Sequence, residues 1–293
     1  MIRRARPAFT LFQLLIVFAI LLILFALLLP MIVKARADAE RAKATSNLKQ
    51  LVLGLHNYHD TYGTFPPGVD DNHFAVVSRL LPFIEQGQVH NQIDFKKSID
   101  DKANAKARKV KIKTFLSKAD PIESVKDEWA ATNYLFNDKV FFLNSKLRLL
   151  DITDGTSNTI AVGETLKGDG QTKATDVKRQ HVLLTKDALK GIKPTAGVQD
   201  FKDNKNIAGD RCASWMDGRF LQGTFNGMLQ PNDMRPDVSC AGLGGVSALR
   251  SFDEFVLVGM CDGSAHVVKN KIMPFTWEAA MTPNSGEVLP ADF

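Results

Sequence analysis

The chain has 293 residues, of which 45% are hydrophobic and 24% charged, and its formal net charge is +5 at pH 7. Three of its 37 Lys and Arg residues lie in the first eight positions, which hold no acid, so 34 basic side chains face 32 acidic ones in the rest, a balance of +2. This balance argues against a nucleic-acid-binding function. The length excludes a core large enough to surround a fully apolar N-terminal helix.

The first predicted element is a transmembrane helix. Three arginines precede an uncharged run from Pro7 to Val33, and the twenty residues from Leu14 to Val33 include sixteen Leu, Ile, Val or Phe. A helix needs about 20 apolar residues to cross a bilayer core. At about −0.3 to −0.6 kcal/mol each, these sixteen side chains contribute roughly −5 to −10 kcal/mol to insertion, which outweighs one proline and a nearby glutamine.

Two fates of this segment are compatible with insertion. A secretory signal peptide would be removed after a small-x-small site such as Ala35-Arg36-Ala37, but its apolar part is only about 7 to 15 residues long. The helix also continues as an amphipathic stem, because apolar residues recur at three- and four-residue steps: Leu48, Leu51, Val52, Leu55, Tyr58 and Tyr62. A cut at Ala37 would divide that stem, so the sequence favours a retained anchor.

The start of the apolar segment resembles the processing signal of type IV pilins and pseudopilins. Arg6-Pro7-Ala8 precedes Phe9-Thr10-Leu11-Phe12-Gln13-Leu14-Leu15. The resemblance implies that residues 1–8 are a leader, that prepilin peptidase cuts between Ala8 and Phe9, and that the new amino group of Phe9 is methylated. It also implies that Pro30, the twenty-second residue counted from Phe9, bends the helix for packing against neighbouring subunits.

Two positions depart from the pilin pattern. Ala8 stands where glycine is usual, and Gln13 stands where the family normally has a glutamate that pairs with the N-terminal ammonium of an adjacent subunit. An amide accepts a hydrogen bond but carries no charge, so it costs less in lipid and weakens that pairing. This favours a minor or tip-like subunit, or a membrane-resident relative, over an abundant filament subunit. The alternative, that the amide is sufficient, remains open.

Further motifs are similar to those of a family of large prepilin-like proteins of unknown function. They are Leu48-Lys49-Gln50-Leu51, the run from Leu55 to Gly68, the run from Leu80 to Gln86, Thr132-Asn133-Tyr134, and the run from Asp151 to Ile160 with Gly163-Glu164. That family has a histidine separated by nine residues from a C-terminal Asp-Gly pair. Here Asp262-Gly263 is present, Phe252 replaces the histidine, and Ser117 replaces a frequent cysteine. The resemblance implies the fold but no role for the missing histidine.

The charge pattern predicts the topology. Arginines before the span follow the positive-inside rule, which places the N-terminus in the cytoplasm of a bacterial cell and the C-terminal body outside the inner membrane. Lys34, Arg36, Arg41 and Lys43 weaken the contrast. The lysine-rich stretch from Lys96 to Lys113 is interrupted by Asp100 and Asp101, so we interpret it as a solvated surface and expect no nucleic-acid partner.

Changes of period predict an α+β fold, in which a long N-terminal helix packs on an antiparallel-sheet head, as in pilins. The expected domains are a leader at 1–8, a transmembrane helix at 9–33, a stem at 34–62 and a head at 63–293, in one large domain or two lobes. Phe65-Pro66-Pro67-Gly68 ends the helix. Helices are expected at Phe74 to Asn91 and Asn104 to Leu116, and a variable insertion at Gly168 to Asn206.

Five strands are predicted in the head. They are Val140 to Leu143, Thr159 to Val162, Arg219 to Phe225, Phe255 to Met260 and Ala265 to Lys269. The Asp262-Gly263 pair favours a tight hairpin between the last two strands.

Three cysteines lie in the part of the chain expected outside the cytoplasm, where disulfides persist. Cys212 and Cys240 lie in a loop-rich stretch and are the predicted pair. Cys261 is then a small buried residue on a strand. The absence of a Cys-x-x-Cys spacing argues against zinc and redox sites.

Candidate chemistry is sparse. Oxygen ligands for calcium are offered by Asp151, Asp154, Asn158 and Glu164, although an EF-hand spacing is missing and a backbone-bonded turn is the favoured interpretation. His56 and His59 have a spacing that can hold a metal, but packing is favoured. The sequence has no nucleophile elbow, Walker loop or dinucleotide fingerprint, so we expect neither a resident cofactor nor enzymatic activity.

These patterns predict a pilin-like or pseudopilin structural subunit of a type IV pilus-like filament or a type II secretion-like apparatus. Its expected partners are prepilin peptidase, membrane lipid and homologous subunits bound through the N-terminal helix. The second hypothesis keeps the anchor but makes the head a binding protein for a solute or surface polymer. A third, an anchored hydrolase, requires a pocket with convergent titratable groups.

Overall fold

A computed structural model describes residues 11–184, 205–240 and 244–287 of the chain. The chain divides into two compact units, Met1–Ala42 and Lys43–Phe293. Helix α1, Leu11–Tyr62, supplies the described part of the first unit and enters the second. The predicted continuation of the apolar helix into a stem is confirmed, and α1 contains Pro30 in its interior.

The second unit is built around the last five turns of α1. Leu48, Leu51, Val52 and Leu55 are at most 1% exposed and belong to the main hydrophobic cluster, as the period predicts. Gly259 lets a strand approach this face closely, because a Cβ there would lie 3.1 Å from Cγ2 of Val52. The stem residues therefore form part of the core of the head.

Gly63 ends the helix with a left-handed φ of 76°, and its N–H donates to the carbonyl of His59 at 2.7 Å. Phe65 then enters the core, and the N–H of Gly68 donates to Phe142 O at 3.1 Å. A Cβ at Gly68 would lie 1.8 Å from the carbonyl oxygen of Phe141. Only glycine allows the chain to pass at this point.

The predicted extents of the two helices expected in the head, Phe74 to Asn91 and Asn104 to Leu116, are largely wrong. The first region breaks into α2, Val76–Leu80, a 3-10 turn at Leu81–Ile84 and α3, Gly87–His90, because Glu85 adopts a left-handed φ of 62°. The second region is a series of 3-10 turns at Lys102–Asn104, Ala107–Lys109 and Lys113–Phe115.

Two sheets complete the α+β fold. The strands are β1 Tyr134–Asn137, β2 Ile160–Glu164, β3 His181–Leu183, β4 Ile207–Ala208, β5 Thr224–Phe225, β6 Asp237–Ser239, β7 Gly245–Val246, β8 Phe255–Met260 and β9 Ala265–Lys269. The first sheet has the order β5-β1-β2-β8-β9 and the second the order β4-β3-β6-β7. Neighbouring strands are antiparallel except β1 with β5 and β3 with β6.

The β8–β9 hairpin has the predicted bounds, with Phe255 opposite Lys269 and a left-handed Gly263 in its turn. The strand predicted at Val140 to Leu143 is wrong. Val140 and Phe141 are buried in a turn, because their N–H groups both donate to Asn137 O. Apolar side chains here signal burial, not extended backbone.

Two further segments differ from prediction. The run from Arg219 to Phe225 contributes only β5, because the N–H groups of Gln222 and Gly223 turn back to Arg219 O. The predicted insertion at Gly168 to Asn206 contains β3, a central strand of the second sheet, so its first part is integral to the fold. Residues 185–204 lie outside the described residues.

The C-terminal part of the head carries helix α4, Pro274–Met281, on the first sheet. Trp277 and Met281 pack with Leu135, Ile160 and Phe225 in a second hydrophobic cluster. Nε1 of Trp277 donates to Gly227 O at 2.7 Å. The first sheet thus packs against stem side chains in the main hydrophobic cluster and against α4 in the second hydrophobic cluster.

Candidate functional site

The N-terminal part of α1 has the length and composition of a membrane-spanning helix. An 18-residue window of it has a mean hydropathy of 3.3, and none of that window is buried within the described structure. Residues 11–33 are all exposed. A helix that is apolar on every side and lacks protein cover is suited to lipid. The chain thus has a candidate single-pass anchor near its N-terminus.

Of the residues predicted to direct processing and assembly, Gln13 and Pro30 lie in this helix. Gln13 is in the first turn of α1 with its side chain exposed, and Pro30 lies farther along. Ala8 and Phe9, which flank the predicted cut, lie outside the described residues. Cleavage, methylation and subunit pairing remain predictions.

The head contains a polar cleft of about 360 Å³. It opens beside β3 and β6 of the second sheet. Its other walls are the loop that contains Trp129 and the loop between β4 and β5. Its ionisable lining residues are Asp100, Lys126, His181, Asp210, Asp217 and Arg219. Ligand sites in proteins are typically concave pockets of roughly 300 to 1,000 Å³. This cleft is therefore the candidate binding site of the head.

Asp210 lies at the centre of the polar contacts in the cleft. Its Oδ2 lies 2.9 Å from Nζ of Lys126, and its Oδ1 lies 3.6 Å from Nε2 of His181. Its main-chain carbonyl accepts a hydrogen bond from Nε2 of Gln222 at 2.7 Å, and Oε1 of Gln222 accepts the N–H of Ala213. These contacts hold the loop between β4 and β5 to the loop that carries Lys126.

His181 lines the cleft and is deeply buried, with 3% of its side chain exposed. Burial lowers the pKa of His181 to about 4, although the carboxylate of Asp210 acts in the opposite direction, and Arg211 and Lys126 lower the pKa further. The imidazole is therefore neutral at pH 7. Its Nδ1 has no hydrogen-bond partner among the described residues.

A second ion pair lies in the same cleft. The guanidinium of Arg219 contacts both carboxylate oxygens of Asp217, with Nη2 at 2.6 Å from Oδ2 and Nε at 2.9 Å from Oδ1. The N–H of Arg219 also donates to Oδ1 of Asp217. Such a bidentate pair fixes the orientation of the guanidinium.

Trp129 supplies an aromatic wall. It is partly buried against the main hydrophobic cluster, and the guanidinium carbon of Arg108 lies 4.5 Å from the centre of its ring. Phe220, which is 6% exposed, also lines the cleft. The cleft thus combines aromatic surface with paired charges.

A fully buried cluster of charges lies next to the cleft in the chain and supports its wall. Arg211, the residue after Asp210, and Arg250 both bind the carboxylate of Asp237 on β6. Nη2 of Arg211 also donates to Oγ1 of Thr165 at 2.6 Å. Because a buried charge is stable only when it is paired and hydrogen-bonded, these contacts fix the backbone on which Asp210 stands.

A sequence model of the family described as "Protein of unknown function (DUF1559)" matches residues 33–274, more than half of the chain. The chain belongs to this family. DUF1559 proteins are prepilin-like, and with the N-terminal apolar helix the match indicates a membrane-anchored, pilin-like protein. No curated protein and no solved structure matches this DUF1559 chain.

Residues singled out by resemblance occupy structural positions in this DUF1559 chain. Asn133, of the Thr132-Asn133-Tyr134 segment, is fully buried and lies between two charges: its Oδ1 accepts from Nζ of Lys167 at 2.7 Å, and its Nδ2 donates to Oδ2 of Asp120 at 2.9 Å. Its position explains why only an amide, with both a donor and an acceptor, suits the site.

Phe252 and Ser117, which the resemblance also singled out, have defined surroundings. Phe252 is exposed, and the guanidinium carbon of Arg179 lies 5.1 Å from the centre of its ring. Ser117 is buried and hydrogen-bonds to Glu164. Burial raises the pKa of the Glu164 carboxyl, and the hydrogen bond from Ser117 partly offsets this.

The four calcium candidates are engaged in other contacts. The carboxylate of Asp151 binds the guanidinium of Arg148, and that of Asp154 accepts the N–H groups of Ser285 and Gly286. Nδ2 of Asn158 donates to Asp154 O, whereas Glu164 is on β2. Among the described residues, no group of three or more His, Cys, Asp or Glu is placed to hold a metal ion.

The predicted disulfide between Cys212 and Cys240 is not formed. These two cysteines and Cys261 are buried free thiols. Cys212 packs in the second hydrophobic cluster, whereas Cys240 follows β6 of the other sheet. Burial raises the pKa of Cys212 to about 11, so its thiol stays protonated and unreactive at neutral pH.

The histidine pair of the stem has a packing role. Nε2 of His59 accepts the N–H of Leu149 at 3.3 Å, and the ring of His56 meets Phe65 edge-on. A contact that was not predicted lies beside the β8–β9 turn, where Oγ of Ser264 lies 3.1 Å from Nε2 of His266. Oγ of Ser264 also donates to Oδ1 of Asp262 at 2.7 Å, so its proton is directed away from the imidazole. The available signal was the two-residue spacing between Ser264, before β9, and His266 on that strand.

Proposed function

We propose that this chain is a pilin-like or pseudopilin structural subunit that prepilin peptidase cuts between Ala8 and Phe9. The mature protein is anchored in the bacterial inner membrane, with its N-terminus cytoplasmic and its head outside. It assembles through the N-terminal helix with homologous subunits in an envelope filament or secretion apparatus. We assign it no catalytic role and no nucleic-acid partner.

One observation carries this proposal. A single helix, Leu11–Tyr62, joins a fully exposed apolar segment to a stem whose residues are buried in the core of a DUF1559 head. The unbroken helix supports retention of the span, because a cut after Ala37 would fall within α1, between the exposed apolar segment and the buried residues that begin at Ala44.

The mass of the mature N-terminus tests processing. We expect the protein purified from membranes of a host that contains prepilin peptidase to begin at Phe9, with a methyl group on its amino nitrogen. The matched control is Ala8→Asp, which places a charged side chain beside the bond to be cut and should leave the leader attached. A chain that begins at Asp38 or Glu40 would identify an ordinary signal peptide and refute the proposal.

Shearing of cells tests assembly. Release of the chain in high-molecular-weight filaments supports a structural subunit, whereas persistent monomeric membrane association refutes it. Gln13→Glu restores the charge expected at that position, so we expect more of this variant in sheared filaments. An unchanged amount would mean that the amide is adequate and that the chain is not restricted to a minor or tip-like place.

The cleft favours a second candidate function. An anchored head with a preformed polar cleft is suited to bind a solute or a surface polymer outside the cytoplasm. This function does not require polymerisation, so monomeric membrane association would leave it intact.

A further inference from the structure

We propose that the polar cleft of the head binds a neutral polyhydroxylated ligand, such as a saccharide unit of a soluble or polymeric glycan. The inference rests on the second candidate function above and adds the chemical class of its ligand. It is carried by the paired charges, hydroxyl groups and aromatic wall of the cleft.

The charges of the cleft largely cancel one another. Lys126 is paired with Asp210, Arg219 is paired with Asp217, and His181 is neutral at pH 7. Asp100, at the exposed rim, has no ion pair among the described residues. An anionic ligand would have to break one of these pairs, which costs free energy when the remaining charge is partly desolvated. A cationic ligand would find only the exposed carboxylate of Asp100 without an ion pair among the described lining residues.

The paired groups still have hydrogen-bonding capacity. The side chains of Lys126 and Asp210 are 49% and 33% exposed, so an ammonium donor and a carboxylate acceptor both reach the cleft. Oγ of Ser214 accepts the N–H of Met216, which leaves its own proton for another acceptor. Each hydroxyl of a sugar both donates and accepts, and is therefore matched to adjacent donor and acceptor groups.

The aromatic wall suits the other surface of such a ligand. A sugar ring presents C–H groups on its faces, and these pack favourably against the electron-rich face of an aromatic ring. Trp129, which is only partly buried, lines the cleft beside the polar groups and supplies most of this surface, because Phe220 is 6% exposed. A small inorganic ion would leave this surface without a contact.

The test measures binding on the full chain in nanodiscs, in monomeric form, so that it is independent of filament assembly. The probes are maltotriose, cellotriose, mannotriose and triacetylchitotriose. Their binding is measured by saturation-transfer NMR and calorimetry. We expect at least one trisaccharide to bind. If its hexasaccharide binds more than tenfold tighter, the ligand is a polymer, and if not it is a small saccharide. Absence of binding by all four at 10 mM would overturn the proposal, as would binding of spermidine or citrate in their place.

Two matched variants locate the site. Lys126→Met removes the ammonium that faces Asp210, and Lys111→Met removes a surface lysine that is paired with Glu123 outside the cleft. We expect the first to weaken saccharide binding at least tenfold and the second to leave it unchanged, with both variants retaining the circular dichroism spectrum of the parent. Equal binding by both variants would place any saccharide elsewhere and contradict the assignment.

A shear experiment that finds no filaments, combined with saccharide binding that depends on Lys126, would refute the structural proposal and retain this one. Filaments without saccharide binding would give the opposite result.

Discussion

Nη2 of Arg179 donates to Oδ1 of Asp120 at 2.8 Å, and both side chains are buried. Nζ of Lys167, also buried, lies 3.5 Å from Oδ2 of the same carboxylate. Burial by itself would raise the pKa of Asp120, but the Arg179 hydrogen bond and the Lys167 charge outweigh it and hold that pKa below its usual value. One carboxylate thus pairs with two cations in the interior of the head.

Replacement of Asp120 by Ala should lower the free energy of unfolding by about 3 to 5 kcal/mol, because the buried Lys167 would lose its ion pair and Arg179 would keep only the longer contact with Asp176, at 3.8 Å. Urea unfolding followed by circular dichroism measures this change. Asp127→Ala, at an exposed position, is the control and should change the value by less than about 0.5 kcal/mol. Equal midpoints for the two variants would contradict the assigned role.

The stability of the head should depend on pH through His181. Burial lowers its pKa from 6.5 to about 4, so between these values the unfolded chain binds a proton that the folded protein does not. The contribution of His181 to stability is therefore full above pH 6.5 and falls by about 3 kcal/mol as the pH drops to 4.

Comparison of the parent with His181→Gln isolates this effect. Asp138, whose pKa is raised to about 6 by burial, acts in the opposite direction, but it does so in both proteins. The free energy of unfolding of the parent, measured relative to that of His181→Gln, should thus fall as the pH drops from 7 to 4. A difference that is independent of pH would show that His181 does not resist protonation.

Gly68→Ala should destabilise the head by about 3 kcal/mol or more, since the added Cβ meets the carbonyl oxygen of Phe141 at 1.8 Å and the backbone must shift. Gly87→Ala is the matched control, because no atom lies within 4 Å of a Cβ at that helical position. We expect the melting temperature to fall in the first variant and to remain the same or rise slightly in the second. Similar melting temperatures would be inconsistent with the described passage of the chain.

Asp154→Ala should release the C-terminal segment, because the carboxylate accepts the N–H groups of Ser285 at 2.7 Å and Gly286 at 2.8 Å. Hydrogen exchange at these two amides should become faster by at least tenfold. Asp151→Ala, whose carboxylate binds only Arg148 among the described residues, should leave both amides protected. Unchanged exchange in Asp154→Ala would exclude this tether.

The anchor should fail when charge is placed at its centre. Leu21→Arg combined with Leu24→Arg costs about 3 kcal/mol per residue, which removes most of the roughly −5 to −10 kcal/mol gained by the apolar side chains. We expect the double variant to leave the membrane fraction on carbonate extraction. Leu53→Arg, on the exposed side of the stem, should remain in that fraction. Retention of the double variant would mean that α1 does not span the bilayer.

Local patterns predicted several elements correctly. The hairpin of β8 and β9 was identified to the residue, because a short apolar run and an Asp-Gly turn both act over a few positions. Leu48 to Leu55 were identified as a buried face from their helical period. The same approach misplaced a strand at Val140 to Leu143, since a buried apolar turn and a strand share one composition.

The candidate cleft was not predicted at all. Lys126 and Asp210 are 84 residues apart, and neither has a neighbour in sequence that indicates the other. His181 lay within a segment interpreted as a variable insertion, because the short strands β3, β4, β6 and β7 carry too few residues to establish a period.

By itself, the sequence determined that a helix suited to lipid leads into a stem with one buried face, because length, hydrophobicity and helical period are properties of consecutive residues. Only the tertiary structure decided which buried charges pair, where the cleft lies and that the cysteines remain apart. Those features depend on distances between residues remote in the chain, and these distances follow from strand order and packing that no local pattern specifies.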